Sequence, residues 1–85
     1  MHITDSIPTL ARVKLHTISA KDALRALAKK GYSVDHQTGS HIILRQSWPP
    51  YRRLTIPNHK ELAKGTLRSI IRQAGLTVEE FLELL

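Results

Sequence analysis

The feature of this sequence that most constrains its fold is a change of hydrophobic period at Gly31. Before it, residues 19–30 repeat apolar side chains every three or four positions; after it, residues 32–57 alternate and are interrupted by turn-forming residues. A period near 3.6 belongs to a helix and a period of two to a strand. We therefore expect the chain to pass from a helix into a sheet at this glycine.

The first helix has both a start and a stop signal. Ser19 is a favourable N-cap, Asp22 lies in the first turn, and Gly31 follows two lysines at the C-terminal end. One stripe of this helix is predicted to be apolar and to face the core: Ala20, Ala23, Leu24, Leu27 and Ala28.

Three strands are predicted next, with the sequences YSVDHQT, HIILRQ and RRLTIP. Gly39 and Ser40 form the first turn, SWPPY contains the second, and Pro57 ends the third strand. Short strands joined by short turns predict an antiparallel meander. In the first strand, one face is predicted to carry Tyr32 and Val34, and the other Ser33, Asp35 and Gln37.

Alternation in the second strand decides which face His41 occupies. With Ile42 and Leu44 directed to the core together with Leu54 and Ile56, the opposite face carries His41, Ile43, Arg45, Arg53 and Thr55. The Ile-Ile-Leu run leaves a second register open, in which Ile43 is inside. His41 begins the strand in either register.

Two helices are predicted in the last third of the chain. Thr66 is the expected cap of the first, which buries Leu67, Ile70, Ile71 and Ala74 before Gly75 ends it. Thr77 and Glu80 form a capping box for the second, which buries Val78, Phe81, Leu82 and Leu85. The predicted fold class is α+β, in the order α-β-β-β-α with a short extra helix, and with the helices on one face of the sheet.

Composition restricts the chemistry. The chain has 85 residues and no cysteine, which excludes disulfides and thiolate chemistry. We find neither a signal peptide nor a membrane span and expect a soluble, cytoplasmic protein without membrane contact. Lys and Arg number 13 against 7 Asp and Glu, and three acidic residues lie in the last nine positions, so residues 1–76 carry 13 − 4 = +9. Such a charge favours a nucleic acid or an acidic protein as partner, although a basic surface can also serve solubility alone.

The five histidines of the chain do not have the spacing of a metal site, so no metal or cofactor is expected. Ser40 precedes His41 on the strand, and neighbouring side chains point to opposite faces, which argues against activation of this serine. A histidine on a basic surface fits RNA cleavage, because the 2′-hydroxyl of the substrate is itself the nucleophile. The nearest cations for phosphate binding are Arg45, Arg53, Lys60, Lys64 and Arg68.

These residues also have structural explanations. His41 can simply fill the edge of a turn, and His59 is expected to serve its loop through a hydrogen bond to the backbone. Trp48 and Tyr51 can stack on unpaired bases, yet aromatics beside a Pro-Pro turn more often pack against the prolines.

Three motifs in order, GSH at residues 39–41, TIPNH at 55–59 and the closing run GTLRSIIRQAGLTVEEFLELL, make residues 19–85 resemble the HicA toxin family of bacterial toxin–antitoxin systems. The resemblance implies a fold like a double-stranded-RNA-binding domain. It also implies a type II toxin that cleaves mRNA without a metal and is inhibited by a HicB-type antitoxin covering the active site. By the same resemblance His41 is catalytic, Gly39 permits a sharp turn, and Ser40 positions the imidazole or a phosphate oxygen.

Two departures from the family pattern affect these expectations. Many members have a second histidine where this chain has Ile42, so the general acid stays unassigned, and the turn SWPPYRR differs from the family's shorter turn. Residues 1–18 are predicted to be an N-terminal extension of unknown structure, for which three alternatives stay open: disorder, contact with the antitoxin, or contact with a second toxin. Both a homodimer and a hetero-oligomer with the antitoxin therefore stay open. The alternatives to a nuclease are a non-catalytic RNA-binding module and a small basic protein that binds an acidic partner.

Overall fold

The structure is a computed structural model that describes residues 17–85. Its elements follow in the order α1 (Ala20–Ala28), β1 (Tyr32–Thr38), β2 (His41–Gln46), β3 (Arg53–Pro57), α2 (Lys64–Gln73) and α3 (Val78–Leu84). The strands form one antiparallel sheet in the order β1-β2-β3. The predicted α+β class and element order are confirmed. His2, His16 and most of the predicted N-terminal extension lie outside the described residues.

Helix α1 begins where its sequence signals place it. The backbone N–H of Asp22 donates to Ser19 Oγ at 3.0 Å, and Gly31 takes a φ of 87° just beyond the helix. The predicted apolar stripe is wrong on one flank, because Ala26 is buried and Ala28 is exposed. An alanine carries too little apolar surface for the pattern to decide which flank of the helix faces the core.

Within residues 17–85, the helices cover one face of the sheet and no helix or strand covers the other, which is called the open face below. Ile42 and Leu44 of β2 are buried against the helices, as are Leu54 and Ile56 of β3. Ile43, which lies between these two buried residues of β2 in the sequence, points to the opposite face and is half-buried. This confirms the predicted register in which Ile42 and Leu44 point to the core.

Strand β1 departs from simple alternation through a β-bulge between Val34 and His36. The bulge adds one residue to the strand and exchanges the two faces beyond it. Gln37 was predicted on the face of Ser33; this is wrong, because Gln37 pairs with Ile42 on the other face. Val34 pairs with buried Leu44, yet it is 53% exposed because it lies on an edge strand.

The prediction that Thr66 caps α2 is wrong. The helix begins at Lys64 with Ala63 as its N-cap and no side-chain cap. Just before it, buried Leu62 forms an isolated bridge with Ile18, and its N–H donates to the Ile18 carbonyl at 2.8 Å. A contact with a distant residue therefore fixes the position at which α2 begins.

The capping box of α3 is confirmed, since the N–H of Glu80 donates to Thr77 Oγ1 and the N–H of Thr77 donates to Glu80 Oε1. Phe81 is fully buried, as predicted. Leu85, predicted to be buried, is 52% exposed, and Leu84 packs against the core instead. Leu84 lies one helical turn after Phe81 and so shares its face, whereas Leu85 follows the end of the helix.

Candidate functional site

The turn that precedes His41 is a two-residue hairpin loop. Thr38 pairs with His41, which leaves Gly39 and Ser40 as the two central residues. Gly39 has a φ of 57°, and a positive φ at the first central residue is the property of a type II′ turn that favours glycine there. A Cβ added to Gly39 would meet no atom within 4 Å. The glycine is therefore required for its backbone conformation rather than for space.

His41 is the first residue of the central strand. It is exposed and lies between Thr38 of β1 and Pro57 of β3. The preceding turn is also tied to the end of β3, because the N–H of Asn58 donates to the Ser40 carbonyl at 2.6 Å. The backbone that carries the imidazole is thus held from both neighbouring strands, while the ring remains open to solvent.

Two arginines lie directly opposite each other on the same open face. Arg45 of β2 pairs with Arg53 of β3, and both side chains are exposed. Opposed like charges on adjacent strands are destabilising. Asp35 offsets part of this charge, with its Oδ1 3.8 Å from Arg45 Nε. The pair makes this face attractive to an anion.

Asp35 is in turn bonded to the neighbouring histidine. Its Oδ2 lies 2.7 Å from His36 Nδ1. This hydrogen bond, followed by the charges of Arg45 and Arg53, lowers the pKa of the Asp35 carboxyl below its usual value. Asp35 is therefore ionised at neutral pH and acts on His36 as a hydrogen-bond acceptor.

The remaining predicted cations are distributed over the domain. Lys60 lines a cleft of about 370 Å³ with Ser19, Lys21, Asn58 and His59, at the end of the sheet that carries Ser40. Lys64 and Arg68 belong to α2 in the helix layer, and Arg68 borders a separate cleft with Leu76. The open sheet face thus brings together His41, Arg45 and Arg53, with Lys60 at its end.

Three polar residues of the sheet have roles that sequence patterns did not assign. Gln46 is buried and bonded through its side chain to the backbone of Lys30 and Arg52. Because of the bulge, Asp35 and His36 lie on the same face of the sheet as His41. The only sequence signal for Gln46 was a polar residue at a core position, and the sequence contains no local signal for the bulge.

Trp48 and Tyr51 lie at the other end of the sheet. Trp48 packs against Gly31, since a Cβ added there would be 2.9 Å from the indole ring. Both aromatic side chains are about half exposed, at 49% and 60%. The structure therefore gives Trp48 a packing partner and leaves part of its surface open.

Within residues 17–85 there is no group of three His, Asp or Glu residues placed to hold a metal ion. Over the same range, no helix has the length and apolar character needed to cross a bilayer.

The fold and the site together define a class: a small α+β domain whose helices cover one sheet face and whose other face presents a histidine and paired arginines. Residues 20–76, two thirds of the chain, match the family model described as the HicA toxin of bacterial toxin–antitoxin systems. The chain belongs to the HicA toxin family, as the sequence motifs predicted. No curated protein matches the sequence. Membership of this family makes the chain the toxin of a toxin–antitoxin system and implies an antitoxin partner.

Proposed function

We propose that this toxin is a metal-independent endoribonuclease that cleaves mRNA, with His41 as a general acid–base group. The observation that carries the proposal is the exposure of His41 on an open sheet face that also holds the opposed arginines Arg45 and Arg53. An imidazole titrates near neutral pH and can accept a proton there. The arginines supply positive charge to hold a phosphate.

Spacing along β2 supports a position for the reacting phosphate. His41 and Arg45 lie four residues apart on one face, which at about 3.4 Å per residue separates their Cα atoms by roughly 14 Å. Ile43 lies midway between them on the same face. A phosphate above Ile43 is accessible to the imidazole from one side and to the long arginine side chain from the other.

The proposed reaction begins when neutral His41 takes the proton of a ribose 2′-hydroxyl. The 2′-oxygen attacks the adjacent phosphorus and the bond to the 5′-oxygen breaks. Arg45 and Arg53 stabilise the negative charge of the phosphoryl oxygens, and Lys60 binds a neighbouring phosphate. By the family resemblance Ser40 positions either the imidazole or a phosphate oxygen. Lys64 and Arg68, which the sequence suggested as phosphate partners, bind RNA outside this face.

Cleavage of an mRNA in EDTA tests the proposal. Wild-type protein is expected to give products with 2′,3′-cyclic phosphate ends, and His41→Ala to cut about 10²- to 10⁴-fold more slowly, the usual effect of removing a general acid–base group. Gln73→Ala is the control, since it removes an exposed polar side chain from α2, away from the sheet face. Intact RNA with wild-type protein, or equal cutting by His41→Ala, would contradict the assignment.

The same experiment separates the two alternatives. A non-catalytic RNA-binding module would retard RNA in a salt-sensitive manner, with no effect of His41→Ala. A small basic protein that binds only an acidic partner would not retard free RNA.

The antitoxin is proposed to be a HicB-type protein that covers the open sheet face. We expect expression of the toxin in a bacterial host to arrest growth, and co-expression of its antitoxin to restore it. His41→Ala is expected to lose the arrest while still binding the antitoxin. Loss of that binding would indicate a folding defect instead.

A further inference from the structure

We propose that His36 is the second proton-transfer group of this site, the general acid that protonates the leaving 5′-oxygen. The inference rests on the proposed RNA cleavage. It assigns the general acid, a role that isoleucine cannot fill at position 42, where many family members have a histidine. It comes from the register of β1 and β2, from the bulge in β1, and from the contact between His36 and Asp35.

The bulge turns His36 to the face of His41. Beyond it the pairing is regular: His36 lies opposite Ile43, Gln37 opposite Ile42, and Thr38 opposite His41. Residues opposite each other on neighbouring strands share a face, and so do residues two apart on one strand. His36 therefore shares a face with Ile43 and, through Ile43, with His41, and both histidines face away from the core. Without the extra residue, His36 would lie on the core side of the sheet.

His36 and His41 are diagonal neighbours across the two strands. Such positions are about 7–8 Å apart, within reach of long and aromatic side chains. In an in-line displacement the attacking and leaving oxygens lie on opposite sides of phosphorus. Each oxygen needs an acid or base within about 2.6–3.2 Å. His36 lies across the strands from Ile43 and His41 lies two residues along β2, so a phosphate bound between the two rings, beside Ile43, meets this requirement.

Asp35 determines which nitrogen of His36 is available. An ionised carboxylate only accepts hydrogen bonds, so His36 Nδ1 donates to Asp35 Oδ2 across their 2.7 Å contact. The other ring nitrogen, Nε2, is left for the substrate. The His36 side chain is 50% exposed, so RNA has access to it.

Charged or titratable side chains surround His36 on all three strands of the sheet. Asp35 lies on its own strand, His41 and Arg45 lie on β2, and Arg53 on β3 is close enough to lower the pKa of Asp35. His36 opposes Ile43, so Arg45 is its second diagonal neighbour. A phosphate held by Arg45 is therefore placed beside His36.

The proton balance of the step is complete. The 2′-hydroxyl proton passes to His41, the 2′-oxygen bonds to phosphorus, and the bond from phosphorus to the 5′-oxygen breaks. The 5′-oxygen takes the Nε2 proton of imidazolium His36 and leaves as a hydroxyl. His41 ends protonated and His36 neutral, and exchange with water restores both for the next turnover.

A substrate with an activated leaving group tests this role. In an oligonucleotide whose scissile 5′-oxygen is replaced by sulfur, the leaving thiolate needs no proton, because a thiol is a far stronger acid than an alcohol. We expect His36→Gln to cut the ordinary substrate about 10²- to 10⁴-fold more slowly than wild type. On the sulfur substrate it is expected to cut at nearly the wild-type rate. His41→Ala is expected to fail on both, and Gln73→Ala, a change on the exposed surface of α2, is the control that is expected to cut both substrates like wild type.

A pH profile gives a second readout that a purely structural role would not change. A base and an acid together give a bell-shaped dependence of the cleavage rate on pH. His36→Gln is expected to lose the fall at high pH and keep the rise. Equal rates for His36→Gln and wild type on the ordinary substrate, or the same loss on both substrates, would overturn the assignment. If wild type cuts neither substrate, the cleavage proposal itself fails.

Discussion

Arg45 and Arg53 repel each other across adjacent strands, and the fold alone gives no reason to keep them opposed. Among residues 17–85 their acidic neighbour is Asp35, which lies 3.8 Å from Arg45 and interacts with Arg53 only through its charge. Under the proposed function, a bound phosphate would replace this repulsion by two charge-assisted hydrogen bonds. The proposal thus supplies a reason for the opposed arginines that stability does not.

Gly39 gives a prediction at the residue scale. Its φ of 57° is strained for any residue with a Cβ, although an added Cβ would meet no atom within 4 Å. Gly39→Ala is therefore expected to lower the free energy of unfolding by about 1–2 kcal/mol. For a domain of this size, that corresponds to a fall in Tm of about 4–8 °C per kcal/mol, measured by thermal denaturation.

Gly65 provides a control of opposite sign. It lies in α2 with no positive φ, and a Cβ added there would also meet no atom within 4 Å. Gly65→Ala is expected to raise stability by about 0.5–1 kcal/mol, since glycine is a poor helix former. If both variants shifted Tm in the same direction, backbone strain at Gly39 would not be the reason for its glycine.

At the scale of elements, Gln46 joins three parts of the fold. Its Nε2 donates to the Lys30 carbonyl at 3.1 Å, and its Oε1 accepts from the Arg52 N–H at 3.3 Å. Lys30, just after α1, and Arg52, just before β3, are thereby hydrogen-bonded to the end of β2. Gln46→Ala is expected to cost about 1–3 kcal/mol in urea denaturation, because it leaves buried polar groups without partners.

Gln73 is the matched control for this variant. Its side chain donates to Ser69 Oγ at 3.0 Å on the exposed surface of α2. Gln73→Ala is expected to change stability by less than about 0.5 kcal/mol. A similar loss from both glutamines would show that the side-chain bonds of Gln46 do not hold the elements together.

Local signals predicted most elements but not their irregularities. Glycine after a helix, alternation in β2 and the Thr77 capping box each act within a few residues, and each was confirmed. The start of α2 depends instead on the contact between Leu62 and Ile18. The bulge in β1 depends on pairing with β2, and it decides that His36 shares a face with His41. The sequence of β1 alone therefore does not show where the bulge lies or which face His36 occupies.

At the scale of the whole molecule, cations lie in both layers. The open sheet face carries Arg45 and Arg53, whereas the helix layer carries both signs, with Lys64, Arg68 and Arg72 on α2 and Glu79, Glu80 and Glu83 on α3. We expect a polyanion to prefer the sheet face because two arginines are opposed there, and not because the helix layer lacks positive charge. An antitoxin that covers the same face would compete with RNA for the same arginines.

The salt dependence of RNA binding tests that arrangement. In a His41→Ala background, which prevents cleavage, the logarithm of the association constant for single-stranded RNA is expected to fall linearly with the logarithm of salt concentration. Each phosphate contact contributes about 0.7 to that slope. Adding Arg53→Gln is therefore expected to reduce the slope by about 0.7. Arg25→Gln, a loss of one exposed charge from α1 in the helix layer, is expected to leave the slope unchanged. Because both variants change net charge equally, a smaller slope with Arg25→Gln as well would mean that RNA responds to total charge and not to the sheet face.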